Sequence, residues 1–150
     1  MKTVKKKKST IHIRDAHKGD KEVIAGLLRE LGYPNTPLFV MRKLDELNHD
    51  AKTKVIVAVA GSEVVGVASV HIVPLFHQEG NLCRITAIVV SQKQRKKGIG
   101  TRLIEYVEDY ARSHRCIKVE ITSGDQRTSA HQFYHQVGYK EVSRRFIKLI

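Results

Sequence analysis

The chain of 150 residues carries 27 Lys+Arg against 15 Asp+Glu, a formal charge of +12, with 41% hydrophobic residues and only 3 Pro. This excludes a disordered or collagen-like polymer and suits one globular domain that buries roughly two-thirds of its unfolded surface. The longest apolar run, residues 55–60, is far short of the ~18 residues a membrane span needs, and no apolar segment follows the basic start as it would in a signal peptide.

Residues 1–8 hold Lys2, Lys5, Lys6, Lys7 and Lys8 without an acid and read as a flexible tail ahead of a single domain over residues 9–150. The remaining excess of 12 − 5 = +7 makes a phosphate-bearing ligand or an acidic substrate plausible for the body of the chain. Ile11 and Ile13 alternate with His12 and Arg14 as in a half-buried strand. Val23, Ile24, Leu27, Leu28 and Leu31 then follow at helical spacing, stopped by Gly32 and Pro34. Pro37 opens a second helix through Phe39, Met41, Leu44 and Leu47. Residues 54–60 and 63–73, separated by Gly61-Ser62, form an expected hairpin, and the β-rich run at 82–91 adds a third antiparallel strand. Ile99, Leu103, Tyr106, Val107, Tyr110 and Ala111 recur every three or four residues and predict an amphipathic helix. Residues 116–122 alternate as a strand, Ala130, Phe133, Tyr134 and Val137 mark a short helix ended by Gly138, and residues 139–142 and 144–149 read as two final strands. The order βααβββαβαββ predicts an α/β (α+β) domain: a mixed, mostly antiparallel sheet with helices on both faces.

The chemistry concentrates between the third of these strands and the long helix. Arg95, Lys96 and Lys97 precede Gly98-Ile99-Gly100-Thr101, where a helix begins. Glycines let backbone amides approach a ligand, and the unpaired N–H groups of a first helical turn carry the positive end of its dipole. Together with the three cations they can cradle a diphosphate. The loop has neither the GxxxxGK[ST] of a nucleotide-hydrolase P-loop nor GxGxxG, which disfavours ATP and NAD. With 6% aromatic residues and no aromatic beside the basic loop, base stacking has no platform, which argues against a nucleic-acid partner.

The form Arg95-x-x-Gly98-x-Gly100, preceded by Ile88-Val89-Val90 and followed by Ala130-x-x-Phe133-Tyr134-x-x-x-Gly138-Tyr139, closely resembles the GNAT superfamily of acetyl-CoA-dependent N-acetyltransferases over residues 11–149. The resemblance implies that the loop from Arg95 through Lys96, Lys97, Gly98, Ile99 and Gly100 to Thr101 holds the pyrophosphate of acetyl-CoA. It implies that the backbone of Ile88, Val89 and Val90 pairs with the pantetheine arm, next to a β-bulge that splays the strand from its neighbour. Strand amides near Ile88 would stabilise the tetrahedral oxyanion. It also implies that Tyr134 protonates the departing thiolate, a role that suits a phenol of pKa ~10; on spacing alone Tyr134 fits equally as a core residue.

Two positions depart from the family pattern. Many relatives carry a Glu base where this chain reads Arg84, Ile85, Thr86, Ala87, which leaves His71, His77, Glu79 or water to deprotonate the amine. Arg127 stands where Asn is usual and is expected to contact a CoA phosphate or an anionic acceptor. His131 and His135, at i and i+4, lack a third ligand, so no metal site is expected. The C-terminal pattern is most similar to the small-molecule branch that includes aminoalkylphosphonate N-acetyltransferases. The implied reaction is transfer of the acetyl group of acetyl-CoA to the primary amine of a small molecule by direct attack in a ternary complex. A protein or peptide N-acetyltransferase and a non-catalytic acyl-CoA sensor remain as alternatives, and a homodimer is left open. Cys83 and Cys116 are isolated, so inert thiols and a reducing cytoplasm are expected.

Overall fold

A computed structural model describes residues 10–122, 128–142 and 144–150; the Lys-rich stretch 1–8 and Arg127 lie outside the described residues. Its strands are β1 (Ile11–Asp15), β2 (Thr53–Ala60), β3 (Glu63–Pro74), β4 (Asn81–Val90) and β5 (Cys116–Ile121), and its helices α1 (Lys21–Leu31), α2 (Pro37–Asn48), α3 (Ile99–Ser113) and α4 (Thr128–Gln136). The strands form one sheet in sequence order, antiparallel from β1 to β4 and parallel between β4 and β5.

Local chemistry sets the helix ends where the sequence reading put them. Thr36 Oγ1 accepts the Phe39 N–H at 3.1 Å and Pro37 occupies the first turn, so α2 starts there. Gly32, at φ +107°, closes α1 in a left-handed conformation that costs other residues strain. The chain enters α1 through Asp20, only 4% exposed, whose carboxylate takes a fork of two bonds from Arg14 at 2.8 and 2.9 Å and a third from the His17 N–H at 2.9 Å. A carboxylate with three donors tolerates this burial, and it ties β1 to the start of α1.

Two apolar layers sandwich the sheet. Ile24, Ala25 and Leu27 of α1 and Val40 and Leu44 of α2 pack on Val55, Val57, Val67 and Val89. Ile99, Leu103, Ile104, Val107 and Ala111 of α3 pack on Ile56, Ala68, Val70, Cys83, Ile85 and Ile88. The mixed, mostly antiparallel sheet with helices on both faces is as expected.

The chain end differs from expectation. Among the described residues, 139–142 and 144–150 form no strand, so their element order is βααβββαβα. Val142, Phe146, Ile147, Leu149 and Ile150 are exposed. Aromatic and β-branched residues fit a pleated surface, but a strand also needs a partner to bond, and these residues join no ladder of the described sheet.

Candidate active site

One extra residue in β4 organises the site. Across β3 and β4, Ser69 faces Ala87 and Val70 faces Ile85, which leaves Thr86 as the inserted residue of a β-bulge. Its effect is visible in the core: Cys83, Ile85 and Ile88 all enter the α3-side layer, so the side-chain alternation shifts by one across Thr86. On the other edge, β4 pairs with β5 from Asn81 through Ile85, opposite Ile121, and the ladder ends there among the described residues. Beyond it, Ile88 and Val89 bury their side chains in opposite layers. What this part of β4 presents toward β5 is therefore backbone, as a ligand that pairs like a strand requires.

β4 runs into the basic loop. Ser91 N–H bonds the Val65 carbonyl at 2.8 Å, a single 3-10 turn spans Gln92–Gln94, and the chain then passes through Lys96 at φ +64° and Gly98 at φ +78°. A left-handed lysine is uncommon and strained. These turns deliver the chain to α3, whose first turn has no side-chain cap and no acidic residue, and whose first bond joins Arg102 N–H to the Gly98 carbonyl at 3.1 Å. The N–H groups of Ile99, Gly100 and Thr101 thus precede the helical ladder. Ile99 is 1% exposed and anchors the helix in the core, leaving only its backbone to face a ligand. Arg95, Lys96 and Lys97 are exposed, with Lys97 Nζ on Gln94 Oε1 at 2.9 Å.

Tyr134 lies on α4, half-buried, and packs with Phe133, Val137 and Tyr139 against the α3-side core. Its ring centroid is 5.6 Å from that of Phe133 and 6.4 Å from that of Tyr139. Phe133 in turn lies over Gly100, so the loop's second glycine also seats the helix that carries Tyr134. The sequence reading assigned Gly100 to the ligand alone and missed this contact.

The structure separates the three candidate bases. His77 and Glu79 belong to the turn between β3 and β4, beyond Asn81, and five strand residues place Asn81 itself roughly 17 Å from Thr86. They sit in an open depression at the end of β4 opposite the basic loop. His71 is the candidate at the bulge: its Nε2 lies 2.9 Å from Thr86 Oγ1. Arg84 pairs with Glu120 at 2.7 Å. His131 is half-buried and His135 exposed on α4, and among the described residues no three His, Cys, Asp or Glu side chains come together as a metal site. Burial pushes the Cys83 thiol up to about 12 and raises that of Cys116 as well, which disfavours a thiolate nucleophile. No helix among the described residues is long and apolar enough to cross a membrane.

Residues 22–139 match the sequence family described as Acetyltransferase (GNAT) family. The chain is 32% identical over 93 residues to an aminoalkylphosphonate N-acetyltransferase of Salmonella typhimurium, a match that spans 62% of this chain and 60% of that protein. Among solved structures it resembles a transcriptional regulator from Bacillus halodurans C-125, with a TM-score of 0.83, 27% identity and coverage of 94% of this chain and 99% of that one. It also superimposes on the aminoglycoside N-acetyltransferase AAC(6')-Iy in complex with CoA, with a TM-score of 0.85, 18% identity and coverage of 97% of each chain, a likeness of fold.

Proposed function

The chain belongs to the GNAT acetyltransferase family, and on that premise we propose that it transfers the acetyl group of acetyl-CoA to the primary amine of a small molecule. The observation that carries this reading is the coincidence on one strand of a bulge at Thr86, a ladder to β5 that ends at Ile85 among the described residues, and a basic loop with uncapped helical amides at its end.

In this reading acetyl-CoA lies along that edge. The backbone of Ile88, Val89 and Val90 pairs with the pantetheine arm, while the amides from Gly98 to Thr101 and the cations Arg95, Lys96 and Lys97 hold the diphosphate. The amine nitrogen attacks the thioester carbon, the oxyanion is held by a strand amide near Ile88, the C–S bond breaks, and the Tyr134 hydroxyl gives its proton to the thiolate. Direct attack in a ternary complex fits the raised thiol pKa values, because a covalent acetyl-cysteine route would need a thiolate. The aminoalkylphosphonate N-acetyltransferase named above supports a small amine that carries an anionic group, which the basic surface would attract. The free cysteines support a reducing cytoplasm. The exposed apolar residues Phe146, Ile147, Leu149 and Ile150 support a homodimer in which a second copy covers them.

The test is thiol release from acetyl-CoA against a panel of aminoalkylphosphonates, aminoglycosides, polyamines, amino acids and peptide N-termini. Release with small amines is expected. Release with peptides alone would move the assignment to the protein-directed alternative, and acetyl-CoA binding without release would make the chain a sensor.

A further inference from the structure

Asp50, Thr53, His71, Thr86 and Ser69, from the turn before β2 and from three adjacent strands, form one hydrogen-bonded line that ends at the bulge. Thr53 Oγ1 lies 3.0 Å from Asp50 Oδ2 and 3.1 Å from His71 Nδ1. His71 Nε2 lies 2.9 Å from Thr86 Oγ1, and Thr86 Oγ1 lies 2.8 Å from Ser69 Oγ.

Counting protons fixes the direction of every bond in the line. The Lys52 N–H and the Thr53 hydroxyl hold the Asp50 carboxyl below the usual carboxylate range, so it is ionised near neutral pH and can only accept. Thr53 spends its single proton on Asp50, and its oxygen must accept from His71 Nδ1–H. An imidazole protonated at Nδ1 offers Nε2 as an acceptor when neutral. Burial in the sheet keeps His71 below the usual histidine value; the Asp50 charge opposes that shift, and Arg84, paired with Glu120 across the β4–β5 ladder, adds to it. Thr86 therefore spends its single proton on Nε2 at 2.9 Å rather than on the Ser69 carbonyl, which lies 3.5 Å from Oγ1, and Ser69 donates to Thr86. The end of the line is the exposed hydroxyl of the bulge residue, where the β5 ladder stops.

We propose that this line is the base of the reaction, with His71 receiving the proton of the acceptor ammonium through Thr86. The ammonium N–H bond breaks toward Thr86 Oγ1 as the Thr86 proton moves to His71 Nε2, and the freed nitrogen lone pair attacks the thioester. The resulting imidazolium keeps its Nδ1–H on Thr53, with the Asp50 charge behind it, until solvent takes the proton. This supplies the function that a carboxylate on β4 would otherwise perform, from residues on β2, β3 and β4 together. The inference rests on the acetyltransferase reading above, because it requires an amine to deprotonate.

The test uses the full chain and an amine found in the acceptor screen. His71→Gln and Thr86→Val should each lower kcat by roughly 10²–10⁴-fold and abolish the acidic limb of the kcat/KM profile set by His71, with acetyl-CoA affinity unchanged. Thr86→Ser, which keeps the hydroxyl, should restore both. Nitrogen-15 NMR of the unliganded protein should show His71 as the Nδ1–H tautomer. A folded His71→Gln variant with full turnover and an unaltered acidic limb would overturn the proposal, as would an Nε2–H tautomer. Either result would leave the acetyltransferase reading standing. Absence of thiol release by the unmodified protein with every acceptor would remove that reading and the relay with it.

Discussion

The ring of Phe133 lies over the α-carbon of Gly100, so close that a Cβ built on the glycine would stand 3.0 Å from Phe133 Cζ. Gly98, two residues earlier, has nothing among the described residues within 4 Å of such a Cβ but holds φ at +78°. The two glycines therefore do different things. Gly98→Ala should cost about 1–2 kcal/mol of backbone strain. Gly100→Val should cost about 1–3 kcal/mol by overpacking and, by displacing Phe133 and with it α4, lower kcat as well as acetyl-CoA affinity. Charge reversal at Arg95 or Lys97, both exposed, should weaken acetyl-CoA in a salt-sensitive way without changing Tm. Calorimetry and thermal melts on the same variants separate the three outcomes.

Tyr134→Phe removes one oxygen and keeps the ring that packs beside Phe133 and Tyr139. If the hydroxyl protonates the thiolate, single-turnover rates should fall by roughly 10²–10⁴-fold while affinity and Tm change little. Full single-turnover activity in the folded variant would make Tyr134 a packing residue alone.

Replacing Cys83 and Cys116 together by Ala should leave most of the turnover intact, because both thiols are held protonated by burial. Loss of activity together with a trapped acetyl-cysteine in the mass spectrum of the parent protein would contradict direct transfer.

Asp20 supplies a pH-dependent part of stability. Bonding to Arg14 and the His17 N–H lowers its folded pKa beneath the ordinary 3.8, so its contribution is complete above that value and is lost as pH falls through the lower, folded one. Asp20→Asn should destabilise by about 2–4 kcal/mol at pH 7, toward the lower side of a broken buried pair because Arg14 is partly exposed. The gap from the parent should narrow in denaturant melts below about pH 4.

Much of the fold was legible because its signals are local. Thr36-Pro37, Gly32 and Gly61-Ser62 announce ends and turns, and the α3 stripe from Ile99 to Ala111 shows its buried face by period alone. The two final strands expected at 139–142 and 144–149 rest on aromatic and β-branched composition, and strand formation depends on a partner elsewhere, which the described residues do not provide. In the candidate site, the basic loop announces itself by composition, whereas Tyr134 is singled out by the family resemblance alone, since its spacing fits a core residue equally. The bulge position did have a trace, since Cys83-x-Ile85-x-x-Ile88 breaks strict alternation. The choice of His71 over His77 and Glu79 had none: all three are polar residues near one hairpin, and only the pairing register sets His71 beside Thr86.

The most direct test of the central claim, that acetyl-CoA lies along β4 beyond its bulge, is backbone hydrogen exchange with and without acetyl-CoA. Binding should slow exchange at residues 87–90 and 98–101 and leave residues 81–85, already laddered to β5, unchanged. Protection elsewhere with no change at 87–90 and 98–101 would contradict the account.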